Sequence, residues 1–191
     1  DATLRAFALA LDGLSAMIAR AADDVASLAT SAATPERRAE LDALAGACRH
    51  IAHHAPRTFL EAIQLLWFVL IGVMQAERAW LVVPGHLDRT LYPFYEAGIA
   101  KGTLTRDRAL LLIEHLYIYI NAFIRDGLAM SVMVGGRNAA GDDVTNPLSY
   151  LCLEALRQTK MIYPTVGVCW HPGTPEPLLD LAVELMGHGY P

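Results

Sequence analysis

A few small groups of residues carry side chains that could do chemistry. Cys152-Leu153-Glu154 sets a thiol two positions from a carboxylate. The motif lies inside SYLCLEALRQ, which reads as a helix, where neighbouring turns would enclose it. Cys152 is therefore expected to be a buried small hydrophobe. Cys169 and His171, in TVGVCWHP, lie two apart in a strand-like run, so alternation puts them on one face. They either pack at a strand end, the more ordinary outcome, or meet a substrate. Cys48, His50, His53 and His54 gather soft ligands. His50 and His54 have the i, i+4 spacing of helical metal sites, but Ala52 stands four residues beyond Cys48 and no third acidic or thiolate ligand is placed. No metal site is assigned. His86, Asp88 and Arg89, in GHLDR, gather near a helix start, where an aspartate is first of all a cap or a partner of the helix dipole. GGRNAAGDD has neither a phosphate-loop order nor a dinucleotide fingerprint, so nucleotide binding is not indicated.

These groups must be positioned by the elements around them. Residues 1 to about 30 carry Leu4, Phe7, Ala8, Leu11, Leu14, Met17 and Ile18 at helical spacing. Thr34, Pro35 and Glu36 restart a helix that runs to about His53. Thr58 caps a long helix through Leu81, whose stretch Ala62 to Ala76 is too short for a membrane span of roughly 20 residues. It reads as a fully buried core helix. Pro84-Gly85 reads as a turn, and Leu87 to Ala100 as a helix that Pro93 kinks or divides. Thr105 caps a further apolar helix to about Arg125. The pattern then changes to strand (Ala129 to Val134), helix (Pro147 to about Lys160), strand (within Ile162 to Trp170) and helix (Pro175 to about Met186). Strand–helix–strand–helix is the pattern of a parallel crossover unit, which needs further strands to bury its faces.

The 191 residues are 54% hydrophobic and only 18% charged, apolar for a free-standing domain of this size. That balance suits a piece whose apolar faces are covered by further chain. A net charge of −5 offers no basic patch, which argues against a nucleic-acid partner. The 3 cysteines are widely spaced, form no disulfide framework and fit a reducing cytosol. The chain starts in a helical pattern without an initiator Met or a signal segment, and no membrane association is expected.

PRTFLEAIQLLW, GHLDRTLYPFYEAGIAKG, GGRNAAGDDVTNPLSYLCLEA and GHGYP follow one another in an order and spacing that extends from about Ala47 to Pro191. This set closely resembles the N-terminal half of a glycyl radical enzyme of the pyruvate formate-lyase-like family, which includes diol, choline and hydroxyproline lyases and arylacetate decarboxylases. The resemblance implies a helix-rich α/β fold, a partial glycyl radical enzyme barrel with a helical outer layer and the first parallel strands. Residues 1–127 would be the helical region and 128–191 the start of the barrel, together part of one domain. The family's catalytic Gly-Cys-x-Glu loop and its Arg-Val-x-Gly-Tyr radical site do not occur in these residues. Tyr150-Leu151 precede Cys152, and its helix resembles the family's Asn-x-Leu-Ser-Tyr segment, so no catalytic residue is assigned to this chain.

The resemblance further implies a separate radical S-adenosylmethionine activating enzyme. Its iron–sulfur cluster would serve to install a glycyl radical elsewhere in the polypeptide, and no cofactor is expected on this segment. It also implies a homodimer when full length and a cytoplasmic location. The chain departs from the family in three places. Many members read Gly-Arg-x-Asp-Gln where this one has GHLDR. The family often has arginine at the position of Cys169, so a positive charge that could grip an anion is expected to be missing there. Trp80-Leu81 fall where diol-type members place polar substrate-binding residues. Trp80, Leu81 and His171 are thus the candidate substrate-binding residues, with core packing as the other reading of each. A less polar pocket is expected, leaning towards an arylacetate-type decarboxylase. The expected function is a fragment of a glycyl radical lyase or decarboxylase performing anaerobic thiyl-radical chemistry on a small organic acid or related substrate, inactive alone and insoluble or oligomeric when isolated. The alternative is a stand-alone, non-catalytic helical binding or scaffold module.

Overall fold

The computed structural model describes residues 1–76, 82–124 and 130–190. Their helices and short strands divide into two compact units, Asp1–Gly72 and Val73–Pro191.

In the first unit, α1 (Ala2–Thr30) starts on the Asp1 side chain, which accepts from the Thr3 N–H. The cap of α2 (Pro35–Ile51) is Thr34, and α3 (Phe59–Ala76) crosses the unit boundary after the Thr58 hydroxyl accepts from Glu61 N–H. The core gathers Ile18 and Ala22 of α1 with Cys48 and Ile51 of α2, and Leu65 and Phe68 of α3 pack against it. The apolar stripe expected along the whole of α1 is buried only in its later turns, and Leu4, Phe7 and Leu11 are exposed. The reason is length, since α1 has 29 residues and α2 only 17. Nor is α3 the fully buried helix expected, for Val69 and Val73 are exposed. By length and composition alone, α1 and α3 are apolar enough to cross a membrane.

The second unit holds a parallel sheet in the order β1 (Gly85–His86), β2 (Ser131–Gly135), β3 (Thr165–Cys169). Pro84-Gly85 is therefore not simply a turn. Gly85 has φ +70° and enters a strand of two residues in register with Val132 and Met133. From there α4 (Leu87–Ala100) runs as a single helix through Pro93, although proline supplies no N–H to the Arg89 carbonyl. α5 (Arg106–Phe123) follows its Thr105 cap and leads towards β2. α6 (Pro147–Thr159) opens on an Asn146–Ser149 capping box and ends on Lys160 in the left-handed region. α7 (Glu176–Gly187) follows β3. α6 is central to this unit and packs against α4, α5, α7, β2 and β3. Val132 and Val134 of the middle strand are fully buried, as are Leu87, Ile113, Tyr117 and Leu148 on the helices around them.

Candidate functional site

Parallel strands expose unpaired backbone groups and loop starts at their C-terminal ends, which is where open α/β sheets bind ligands. Here those ends are His86, Gly135 and Cys169, with Gly135 and Cys169 directly opposed. They open into a cleft of about 600 Å³ lined by His86, Arg89, Gly136, Arg137, Cys169 and His171, with Trp170 and the 138–141 loop completing the wall.

The floor is fixed by Asp88, which is 0% exposed. Its Oδ2 accepts from the Gly135 N–H at 2.7 Å and from the Ser149 hydroxyl at 2.5 Å, while Oδ1 accepts from the Arg89 N–H at 2.8 Å. One carboxylate thus ties the start of α4 to the end of β2 and the start of α6. The structural role expected for Asp88 has this specific form, and the helix-capping position itself belongs to His86.

Arg89 reaches across the strand ends. Its Nη2 donates to the Gly135 carbonyl at 2.7 Å. A Cβ on Gly136 would lie 2.8 Å from that Nη2 and 2.8 Å from the Cys169 Cβ, so Gly136, at φ +88°, is the gap between guanidinium and cysteine. The positive charge expected to be missing at Cys169 is therefore present, supplied from α4 instead of β3. Two arginines and two histidines line the described wall of this cleft, while the expected less polar pocket was argued from Trp80 and Leu81.

The loop after β2 is knitted to the loop after β3. Asn138 Oδ1 accepts from the Ala140 and Asp142 N–H groups, and the Val144 N–H donates to the Gly136 carbonyl. His171 Nε2 pairs with Asp143 Oδ1 at 3.0 Å, while Nδ1 accepts from the Gly173 N–H at 3.1 Å. That arrangement assigns the proton of the neutral ring to Nε2, which donates it to Asp143. Burial raises the Asp143 carboxyl, but donation by His171 and Thr145 outweighs this and holds it below its ordinary range. β3 ends at Cys169, so His171 reaches the cleft through a turn closed by Thr174, not by strand alternation. It lines the wall with both ring nitrogens already engaged. Trp80 and Leu81 lie outside the described residues.

The remaining candidates lie elsewhere. Cys152 is buried within α6, and burial pushes its thiol up to about 12, opposed by a lesser effect of Tyr117 and reinforced by the charge of Asp88. Cys48 is buried in the first unit, where desolvation raises its thiol. The rings of His50 and His54 stack at 4.9 Å, with His50 Nε2 on the Ala55 carbonyl and His54 Nδ1 on the His50 carbonyl. Among the described residues no three His, Cys, Asp or Glu side chains group as metal ligands. Sequence reasoning missed Asp143 as the partner of His171 and Arg89 as the cation of the cleft. The signal for Arg89 was available as a pair of departures, an arginine missing at Cys169 and one gained in GHLDR.

Residues 1–191 match the family model for pyruvate formate lyase-like proteins. This chain belongs to that family. The pyruvate formate lyase-like chain is 32% identical over 203 residues to a trans-4-hydroxy-L-proline dehydratase of Clostridioides difficile, covering 99% of this chain and 26% of the relative. It is 31% identical to an isethionate sulfite-lyase of Nitratidesulfovibrio vulgaris, covering 98% and 25%. A glycyl radical enzyme from Archaeoglobus fulgidus superposes with a TM-score of 0.85 at 30% identity, over 92% of this chain and 24% of that one. The chain therefore spans about a quarter of the length of these relatives. Its helices and parallel strands are a partial glycyl radical enzyme barrel, as the sequence motifs implied.

Proposed function

We propose that this chain is one part of a glycyl radical lyase or decarboxylase acting anaerobically on a small organic acid or related substrate, and that it is inactive by itself. Residues 1–127 would form the outer helical region and 128–191 the start of the barrel. The cleft at the strand ends, with His171 in its lining, would form part of the pocket wall, and Trp80 and Leu81, which precede β1 in the sequence, would contribute to the same substrate site. The observation that carries this reading is the family match over the whole chain, joined to a polar cleft where parallel strands end. His171 serves that wall as a clamp between its two loops, because its nitrogens are engaged with Asp143 and Gly173.

The radical chemistry itself does not fit the cysteines in this chain. Cys152 is enclosed in a helix, and Cys169, half-buried in the cleft wall, is followed by Trp170 and His171 instead of a carboxylate. The cysteine and the radical glycine would belong to the rest of the polypeptide. The full enzyme would be a cytoplasmic homodimer, activated by a separate radical S-adenosylmethionine protein with an iron–sulfur cluster. The apolar groove beside β3 and α7, where Trp170, Val183 and Met186 are exposed, supports a role within a larger barrel. The relatives named above act on an amino acid and on isethionate, both of which bear an acid group.

The test is anaerobic co-expression of the polypeptide carrying this chain with its activating enzyme. The expected result is a glycyl radical signal by electron paramagnetic resonance and turnover of one member of a panel of hydroxy acids, sulfonates, arylacetates and diols. Residues 1–191 alone should give neither. Absence of the radical from the longer polypeptide, or turnover by the isolated chain, would overturn the reading.

A further inference from the structure

The single ring of His171 serves two loops, and each nitrogen has its own task. Nε2 donates its proton to Asp143 Oδ1 at 3.0 Å, on the loop after β2. Nδ1 keeps its lone pair and accepts from the Gly173 N–H at 3.1 Å, within the turn after β3. That turn is short of other bonds. The His171 N–H donates to the Thr174 hydroxyl at 2.8 Å and the Thr174 N–H to the His171 carbonyl at 2.9 Å, while Pro172 and Pro175 have no N–H to give. A Cβ on Gly173 would lie 3.0 Å from the ring Cε1, so the imidazole lies directly against this backbone. The ring is 6% exposed, so a bond lost here is not simply handed over to water.

A second proton can enter the ring only at Nδ1, where the Gly173 N–H already points. Two donors would then face each other, and the Gly173 bond must break. The bond to Asp143 has the opposite fate, because a charged ring beside a carboxylate makes a stronger hydrogen bond. Donation by His171 and Thr145 holds the Asp143 carboxyl below its ordinary range, so it stays charged while the ring titrates. The other titratable or charged groups around the ring are Cys169 on β3, Arg137 after β2, His86 and Arg89 in the same cleft, and Glu176 in the first turn of α7. Of all these, among the described residues, Asp143 alone bonds the ring.

We propose that His171 is a proton-operated clasp in the cleft wall. When neutral it closes the turn after β3, and when charged it releases that turn while holding the loop after β2 more firmly. The bond to Gly173 is thus present at high pH and lost as pH falls through the imidazole range. The clasp stands on these two loops, whatever reaction the full enzyme performs.

The test is hydrogen exchange with mass spectrometry between pH 8 and 5.5 on the unactivated polypeptide that carries this chain, corrected for the intrinsic effect of pH. Protection in a peptide spanning 170–178 should fall about tenfold in one step within the range where imidazoles titrate, roughly pH 5–8, while 143–146 stay protected. His171→Asn places an oxygen near the site of Nδ1 that accepts from Gly173 at every pH, so the step should vanish with protection kept. His171→Gln keeps a donor for Asp143 and no acceptor for Gly173, so the step should vanish with protection already low. Asp143→Asn leaves an acceptor but removes the charge that favours the protonated ring, and should move the step to lower pH. That variant separates His171 from His86, and it decides the matter if the other two do not fold. A flat wild-type profile, a step that survives in His171→Asn, a step that stays put in Asp143→Asn, or loss of protection in 143–146 instead of the turn would overturn the clasp.

Discussion

Glu61 and Asp88 are buried carboxylates in different compact units, and they are held in opposite ways. Glu61 sits in the first turn of α3 and is served from its own neighbourhood. The Arg57 guanidinium donates at 2.7 Å, the Arg57 N–H at 2.6 Å, and the Glu61 N–H in turn rests on Thr58. Asp88 has no cation in its set of acceptances. It is served by two backbone N–H groups and a hydroxyl, two of them drawn from elements far along the chain. A local pair secures the beginning of one helix. A long-range acceptor fixes where two helices meet a strand, and the cleft is built on that junction.

The strongest way to break this comparison is to remove the long-range acceptor. Asp88→Ala leaves the Gly135 N–H buried without a partner and the Ser149 hydroxyl without an acceptor for its proton, and should cost about 3–5 kcal/mol in the polypeptide that carries this chain. Denaturant unfolding measures it, and a loss no larger than that of Glu61→Gln would show that the two carboxylates do the same job. Gly136→Ala comes next, at about 1–3 kcal/mol, because the residue holds φ +88° and a methyl there meets Arg89 and Cys169. Denaturant unfolding checks it, and an unchanged midpoint would show that Arg89 and Cys169 move aside without cost.

Glu61→Gln should lower Tm by about 2 °C near neutral pH, since its partner Arg57 is mostly in water. Burial raises the Glu61 carboxyl, but the hydrogen bonds and charge of Arg57, with a smaller contribution from His50, hold it below the ordinary glutamate range. A lowered folded value means that the stabilisation is full above the unfolded value of about 4.3 and is lost as pH falls through the folded one. The gap between wild type and variant should therefore close on acidification, and a gap that widens would contradict the pairing. The smallest effect is expected from His171→Phe, which keeps the ring volume but drops the bonds to Asp143 and Gly173. Amide exchange in residues 136–146 should quicken by about tenfold with little change in global stability. Unchanged exchange would mean that the loop is held by its internal bonds at Asn138, Gly136 and Thr145 without His171.

Local signals were legible in the sequence wherever a residue acts on its own neighbours. Thr34, Thr105 and Asn146 cap the helices that they precede, and Gly102 stands at φ +67° just beyond Lys101, the C-cap of α4. The family motifs were equally legible, because they are short runs in fixed order. What could not be read was reach. Nothing in GHLDR says that the Arg89 side chain will lie beside Cys169, which is 80 positions away by subtraction of their numbers. Nor does a strand pattern disclose a two-residue strand such as β1, too short to show alternation. The pairing of His171 with Asp143 depends on how two loops meet, and periodicity carries no information about that.

The separations bridged by Asp88 also set an order of events. Its bonds to Gly135 and Ser149 close 47 and 61 positions of chain, whereas the turn between α1 and α2 joins helices that are consecutive. Loop closure costs entropy before any distant contact can repay it, and segments dominated by distant contacts assemble slowly. The helical hairpin can therefore form while the strand ends are still apart, and the corner tied by Asp88 is among the last parts of this chain to take shape.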